Sequence, residues 1–470
     1  MLAKDLSEEV RSGELVIDFV SIEISQLAEA GIKIEGHGIL KINAGGALVC
    51  DVICTKAENL VLEKFGTNYP LDYGDSKQTL RFKAVDLSGK VWVGENFSLR
   101  LRMLRVQTPF KFSIFLSEIV HKHKQDLPLQ QHNYLWFESF EYSRIPKNKT
   151  NTIDDSLTGQ SMTWNQTDFD LVDYKVSIID NKYYTTIYAN GVFDVEDLYS
   201  ALKFYVGFTS GTMPTAYVMT TRTGSDVFHH IRSINKKINK TIMPHPIDEL
   251  LMLGDGKWNN SCHFELLNNI LYVQDKFPQF FDSTVSQWKR VWQGFNAQQS
   301  ITALALTVSI EGLLIDLFIP KLERDEDSPE FEQQKERIIK LLAETEINPL
   351  HLETIVKSVQ RWGNIHANAA LTILAKKGLI TKQEVQAWKD LRNSSTHPKF
   401  SEMTIEREIK ERTRLTRCLN LYYKLNLNIY AYTGGYIVYD SNETMSTMFP
   451  QVSIFDLYGG KSDLPNNQDT

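Results

Sequence analysis

The chain has 470 residues, 42% apolar and 23% charged, with 51 basic against 58 acidic side chains and a net charge of −7. That length exceeds what a single core serves, so two or three domains are expected. The composition is ordinary for a soluble globular protein, and the charge balance argues against a general nucleic-acid coat while leaving room for a local basic groove.

The four cysteines, Cys50, Cys54, Cys262 and Cys418, are few and scattered. Cys50 and Cys54 form a lone C-x3-C without a second pair, which argues against structural zinc and suits a reducing cytosol. The first residues, MLAKDLSEEVRSGELVIDF, mix charges from the start and hold no apolar signal core. ITALALTVSIEGLLIDLFI (301–319) has nearly the length of a membrane span, but Glu311 and Asp316 interrupt it and no basic flank follows. It reads as the central helix of a soluble bundle, and the expected location is cytoplasmic, with no membrane partner.

Residues 1–245 read as a β-rich domain. GHGILKINAGGALVCDVICTK (36–56) alternates about a Gly-Gly turn, residues 79–106 alternate about Ser-Gly, and 170–191 holds an Asp-Asn hairpin signal. PKNKTNTIDDSLTGQSMTWNQ (146–166), polar throughout, predicts a mobile loop. DVEDLYSALKFYVGFTSG (194–211) predicts a helix broken at its glycine. The expected half is a curved sheet or sandwich with an added helix.

Prolines and glycines in MPHPIDELLMLGDGKWNN (243–260) mark a boundary, and 246–279 is expected to be a linker. From 280 to 435 helical periodicity dominates. Phe281, Val285, Trp288 and Trp292 recur at helical spacing. The 301–319 helix stops at Pro320, and SPEFEQQKERIIKLLAETE (328–346) opens with Ser and Pro as helices prefer. Thr381 with Glu384 forms a capping box for a helix whose buried stripe is Val385, Trp388 and Leu391. A last long helix spans roughly 402–430, presenting Ile405, Ile409, Leu415, Leu419 and Tyr422 to a partner. Residues 436–470 are a C-terminal extension whose tail is expected to be disordered. The fold class is therefore α+β, strand-rich first and helical second.

The stretch WKDLRNSSTHPKF (388–400) carries the chemistry. Arg392 and His397 lie five positions apart across Asn393, Ser394, Ser395 and Thr396, residues that compete for backbone hydrogen bonds. Pro398 pushes His397 out of the helical basin, so the helix frays there and the imidazole can swing back over the arginine. A histidine can take the proton from a ribose 2′-hydroxyl, and an arginine can hold the phosphate bidentately. No metal or cofactor is called for. Spacing alone is weak, because Arg361 and His366 repeat it beside Trp362 and Gly363, where a helix breaks too early. Glu311, midway along the most apolar helix, is a candidate partner to orient Arg392; a structural ion pair with another base reads as well. His121 and His123 form an H-x-H that could share a metal on a strand but has no evident third ligand. DVFHHIRSINKKINK (226–240) is the most basic run, and its Lys236, Lys237 and Lys240 could touch RNA phosphates; a solvated helix face explains it about as well.

Arg392, Asn393 and His397 at the end of a helix, inside an all-α region covering roughly 280–430, resemble the HEPN domain. The β-rich half joined to it resembles, in architecture alone, the ApeA-type anti-phage abortive-infection proteins. The resemblance implies a metal-independent endoribonuclease that cleaves RNA, with transfer RNA a candidate target, at a site two protomers build across a two-fold axis. It implies a homodimer, an Asn393 that positions one of the reacting side chains, and an N-terminal half that restrains the nuclease until a phage-derived trigger arrives. The other reading is a non-catalytic interaction protein that dimerises through its helices and binds a ligand with its β-domain.

Overall fold

The computed structural model describes residues 2–61, 67–72, 74–101, 107–125, 133–140, 143–155, 159–181, 183–234, 243–247, 260–322, 329–345, 348–360, 365–396, 404–439 and 444–448. The chain divides into two compact units, Met1–Pro244 and His245–Thr470. Its class is α+β, with a large antiparallel sheet in the first unit and helices in the second.

The first unit begins with α1 (Leu2–Ser12), followed by β1 (Val16–Gln26), β2 (Lys33–Ile42), β3 (Leu48–Glu58) and the short β4 (Thr67–Tyr69). Then come β5 (Leu80–Asp86), β6 (Val91–Phe97), β7 (Leu99–Leu101), β8 (Phe110–Leu116), β9 (Glu118–Lys124) and β10 (Asn133–Ser139). The rest is β11 (Lys149–Asp155), β12 (Gly159–Asp170), β13 (Tyr174–Asp180), β14 (Thr185–Gly191), α2 (Val195–Ser210), β15 (Val218–Thr223) and β16 (Asp226–Arg232). Fourteen strands form one sheet in the order β11-β12-β13-β14-β10-β15-β16-β9-β6-β5-β1-β2-β3-β8, while β4 pairs with β7 apart from it.

One residue, Ser117, separates β8 from β9, yet β8 pairs with β3 (Leu48↔Leu116) and β9 with β6 (Trp92↔His121). The ribbon β3-β2-β1-β5-β6 is thus bounded on both sides by consecutive segments of one strand path. This part rolls on itself around Ile24, Ile34, Leu40, Cys50, Phe82 and Ile114. Of the two forms expected, a curved sheet or a sandwich, the strands take the first as one continuous sheet. The roll needs close backbone approach: a Cβ on Gly36 or Gly38 would meet the Ile53 or Asp51 carbonyl oxygen at 2.1 Å.

Alternation forms these strands as the sequence suggests, with turns at Asn43–Ala47 and at Ser88–Gly89, where Gly89 takes φ +79°. Helix α2 starts at Asp194, whose carboxylate accepts from the Glu196 and Asp197 amides, and ends at the left-handed Gly211. It buries Leu198, Leu202, Tyr205 and Phe208. Two expectations are corrected. The polar stretch 146–166, expected as a loop, contains the β11–β12 hairpin, paired from Asp155↔Gly159 to Lys149↔Gln166. Its threonines are strand formers whose ladder hydrogen bonds need no apolar run. Asp226–Arg232, weighed as a helix face, is strand β16, paired on both sides.

The second unit holds α3 (Asn260–Lys276), α4 (Pro278–Phe295), α5 (Gln299–Leu313), α6 (Pro329–Ala343), α7 (Pro349–Gln360), α8 (Ala367–Lys376), α9 (Lys382–Thr396) and α10 (Ile405–Ile429), then the hairpin β17 (Gly435–Tyr439) and β18 (Thr444–Met448). The stretch expected as a linker, 246–279, contributes α3, which buries Leu266, Leu267, Ile270 and Val273. The extension likewise belongs to this unit: the Ile437 amide donates to the Pro246 carbonyl (2.8 Å) and the Tyr439 hydroxyl to that of His245 (2.7 Å). Residues 449–470, which include the tail GGKSDLPNNQDT (459–470) expected to be disordered, lie outside the described residues. Helix α5 packs against α4, α9 and α10, and a wider π-type turn at Leu314–Phe318 precedes its stop at Pro320. Gln299–Lys321 is long and apolar enough to cross a membrane, but 61% of its most apolar window is buried inside the protein, as a core helix requires.

Candidate functional site

Helix α9 is set by its first turn. The Thr381 amide donates to Glu384 (2.7 Å) and the Glu384 amide to the Thr381 hydroxyl (3.2 Å), the reciprocal pair the sequence predicts. Glu384 also holds Lys424 of α10 (2.9 Å), both side chains buried. Further along, Val385, Trp388 and Leu391 are buried, and the Trp388 indole donates to the Thr307 carbonyl of α5 (3.2 Å). These contacts fix the rotation of α9 about its axis and so decide where the next turn points.

That turn carries Arg392. Its guanidinium meets the Glu311 carboxylate of α5 in two parallel bonds, Nε to Oε2 at 3.0 Å and Nη2 to Oε1 at 2.9 Å. The structure therefore joins two residues 81 positions apart that the sequence offers as partners. The guanidinium carbon lies 5.6 Å from the Trp388 ring centroid, which adds a cation–π contact. The pair is open: Arg392 is 42% and Glu311 28% exposed. The carboxylate takes two guanidinium N–H groups, and the planar fork of this partly exposed side chain suits a phosphate-like acceptor.

Past Arg392 the helix, expected to fray at residues 393–396, instead continues through them. The Ser394 and Ser395 hydroxyls turn back onto the Leu391 carbonyl (3.0 and 2.8 Å), and Asn393 is exposed. The last helical residue is Thr396. His397 follows at once and lies outside the described residues, as do Lys236, Lys237, Lys240 and Arg361. The second arginine–histidine pair is represented only by His366, the residue before α8. Asp390 is engaged by Arg414 of α10 (2.8 Å) and by Gln386 (2.7 Å). Of the residues at helical spacing in α4, Phe281, Trp288 and Trp292 are buried core.

The β-rich unit holds a second group of titratable residues. His121 and His123 lie on β9, and His229 of β16 stands directly across from His121. Their rings stack, with centroids 5.2 Å apart for His123–His229 and 5.4 Å for His121–His123. The H-x-H thus has a third histidine as neighbour, 106 positions away and invisible to local spacing. The rings lie nearly parallel, and among the described residues no group of three or more ligating side chains is arranged to hold a metal ion. Burial, reinforced by His123 and His121, lowers the His229 pKa to about 4. From the same basic run, His230 and Arg232 are held by Glu118 at 2.8 Å each, and Arg232 also donates to the Tyr199 hydroxyl.

The sequence reading passed over the first half of α10. Arg407, Lys410, Arg414 and Arg417 recur there at three- and four-residue spacing. The missed signal was periodicity, hidden because Glu406, Glu408 and Glu411 dilute the run.

No family model, curated protein or solved structure matches the chain.

Proposed function

We propose that the helical unit is a HEPN-type, metal-independent endoribonuclease that acts as a homodimer. The observation that carries this is the bidentate, partly exposed Glu311–Arg392 pair on the last turn of α9, five residues before His397. A guanidinium oriented by a carboxylate and still open to solvent is pre-organised for a phosphate. In this reading His397 takes the 2′-hydroxyl proton and the 2′-oxygen attacks phosphorus. The bond to the 5′-oxygen breaks, and that oxygen leaves with a proton. Arg392 stabilises the charge on the phosphoryl oxygens and Asn393 positions one of the two reacting side chains. The products carry a 2′,3′-cyclic phosphate and a 5′-hydroxyl. The β-rich unit, with its own core, would restrain the nuclease until infection, as the resemblance to abortive-infection proteins implies.

The same face of α5 supports the dimer. Ile301, Leu304, Val308 and Ile315 follow helical spacing around Glu311 and are 40 to 54% exposed. An apolar stripe beside a charged site suits a second copy of the chain, which would bring two Arg392 residues together. Val308→Glu should shift the protein toward monomer in light scattering and lower cleavage in step. An unchanged mass would remove this face from the dimer.

The test of the function is RNA cleavage in EDTA by wild type, Arg392→Ala and His397→Ala, with folding checked by circular dichroism. Loss of roughly 100-fold or more in both folded variants, with cyclic-phosphate ends from wild type, is the expected result. Full activity in both variants would overturn the assignment.

A further inference from the structure

The first half of α10 places cations along the helix that carries Arg392. At 100° per residue, Arg407, Lys410, Arg414 and Arg417 fall within an arc of about 80°. That arc faces α9, because Arg414 reaches Asp390 (2.8 Å) and, further on, Lys424 reaches Glu384 (2.9 Å). The two ion pairs also show that the helices run antiparallel. Four residues along each from the Arg414–Asp390 bridge, about 6 Å by the helical rise, bring Lys410 level with Ser394 in the final turn of α9. Glu411 is engaged by Arg407 (3.1 Å) and Asp390 by Arg414, so two cations of the ridge are neutralised. Lys410 and Arg417 form no ion pair among the described residues, and they flank the engaged Arg414.

We infer that Lys410 and Arg417 hold the phosphates of a single-stranded RNA on either side of the bond to be cut. This rests on the ribonuclease reading. Charge complementarity carries it: a protein with a net charge of −7 keeps four of the five cations in the first half of α10 on the side toward α9, with Arg412 alone on the other face. Arg392 can grip one phosphate only, and a strand held at one phosphate pivots. Contacts one helical turn or more away would fix its direction without reading its bases. Lys410 and Arg417 are thus binding residues, separable from the chemistry at Arg392.

The test is binding of a fluorescein-labelled single-stranded RNA, followed by anisotropy across a salt series, in a His397→Ala background that does not cleave. Lys410→Gln with Arg417→Gln should weaken binding about tenfold at low salt. It should also flatten the log–log salt dependence by about 1.4, at roughly 0.7 per phosphate contact for single strands. Lys410→Arg with Arg417→Lys should restore both. The control pair Lys376→Gln with Lys377→Gln removes the same charge at the end of α8 and should change neither. An unchanged slope in the ridge variant, or an equal loss in the control, overturns the ridge. So does failure of the parent to bind RNA. Cleavage by wild type separates the two ideas: RNA held by the ridge but never cut would sink the nuclease and, with it, the placement of these contacts about a scissile bond, leaving an RNA-binding ridge alone.

Discussion

Each unit is built around carboxylate–cation pairs, and the two most informative differ in one respect. In the β-rich unit Asp180 meets Lys147 with both side chains almost wholly buried, at 3% and 9% exposure. Every approach to that carboxylate is taken: the Ser143 hydroxyl donates at 2.6 Å, the Thr185 hydroxyl at 2.7 Å and the Ser143 amide at 3.2 Å. Glu138 is closed in the same way by Ser7, Tyr217 and Arg11, which tie α1 to the sheet. In the helical unit Glu311 and Arg392 meet in two parallel bonds and stay partly in solvent. A closed pair fixes the position of its own chain segments and can do nothing else. An open one holds a guanidinium in place and leaves it within reach of solvent. Under the proposed function, exposure more than pairing separates the structural ion pair from the one that acts on a substrate.

The sharpest way to break this contrast is to remove one partner from each pair. Asp180→Ala strands the Lys147 ammonium in the interior, and the β-rich unit should lose about 3–5 kcal/mol in denaturant unfolding. Arg392→Ala removes an exposed pair and should cost less than about 1 kcal/mol. A large stability loss at Arg392 and a small one at Asp180 would reverse the assignment of roles.

A smaller effect comes from the stacked imidazoles of the closed unit. His229 accepts or donates at Nδ1 with the Thr220 hydroxyl (2.9 Å), and the His121 Nδ1 faces the Val91 carbonyl (2.9 Å). The groups around His229 are His121 and His123 from β9, Lys90 from the turn before β6, and His230 from its own strand; none is a carboxylate. Its pKa falls from the ordinary 6.5 to about 4, so the unfolded chain binds the proton more readily. Stability from this group is complete above pH 6.5 and is lost as the pH drops toward 4, by roughly 3 kcal/mol in all. Carboxylates such as Asp168, held at about 2 by Gln166, Ser177, Lys149 and Lys175 against its burial, lose stability at still lower pH. His229→Asn should therefore flatten the unfolding profile between pH 6.5 and 4.5. Parallel profiles for wild type and variant would show that the stack does not titrate.

What could be read ahead of the structure was local. The turns at Gly45–Gly46 and Ser88–Gly89 and the Thr381–Glu384 box each depend on residues a few positions apart. The fraying expected at the serines of α9 did not follow from their local preference, since the helix runs on to Thr396. The Glu311–Arg392 pair was reachable because a carboxylate in the most apolar helix needs a partner. The closure of the sheet through Ser117 and the third histidine opposite His121 were out of reach, since both depend on strand register between distant segments. The β11–β12 hairpin was misread because threonine and asparagine look like loop when burial is taken as the mark of a strand. Helix α3 was hidden by the proline- and glycine-rich stretch before it, which drew the boundary too far along the chain.

The smallest effect separates positioning from mere pairing. Glu311→Gln keeps shape and size, but its amide can accept from Arg392 through one atom where the carboxylate used two. The lost bond is partly solvated, so stability should move by less than about 1 kcal/mol. If Glu311 holds the guanidinium in register with the phosphate, cleavage should fall about tenfold. RNA binding, carried largely by the ridge on α10, should stay within about twofold. Glu311→Asp, which retains the charge at a shorter reach, should recover part of the rate. A Glu311→Gln protein that cleaves at the wild-type rate but unfolds more easily would place this pair beside Lys147–Asp180, as structure only. A slower enzyme of unchanged stability would mean that the carboxylate acts through Arg392, since Glu311 itself faces the guanidinium and not the strand to be cut.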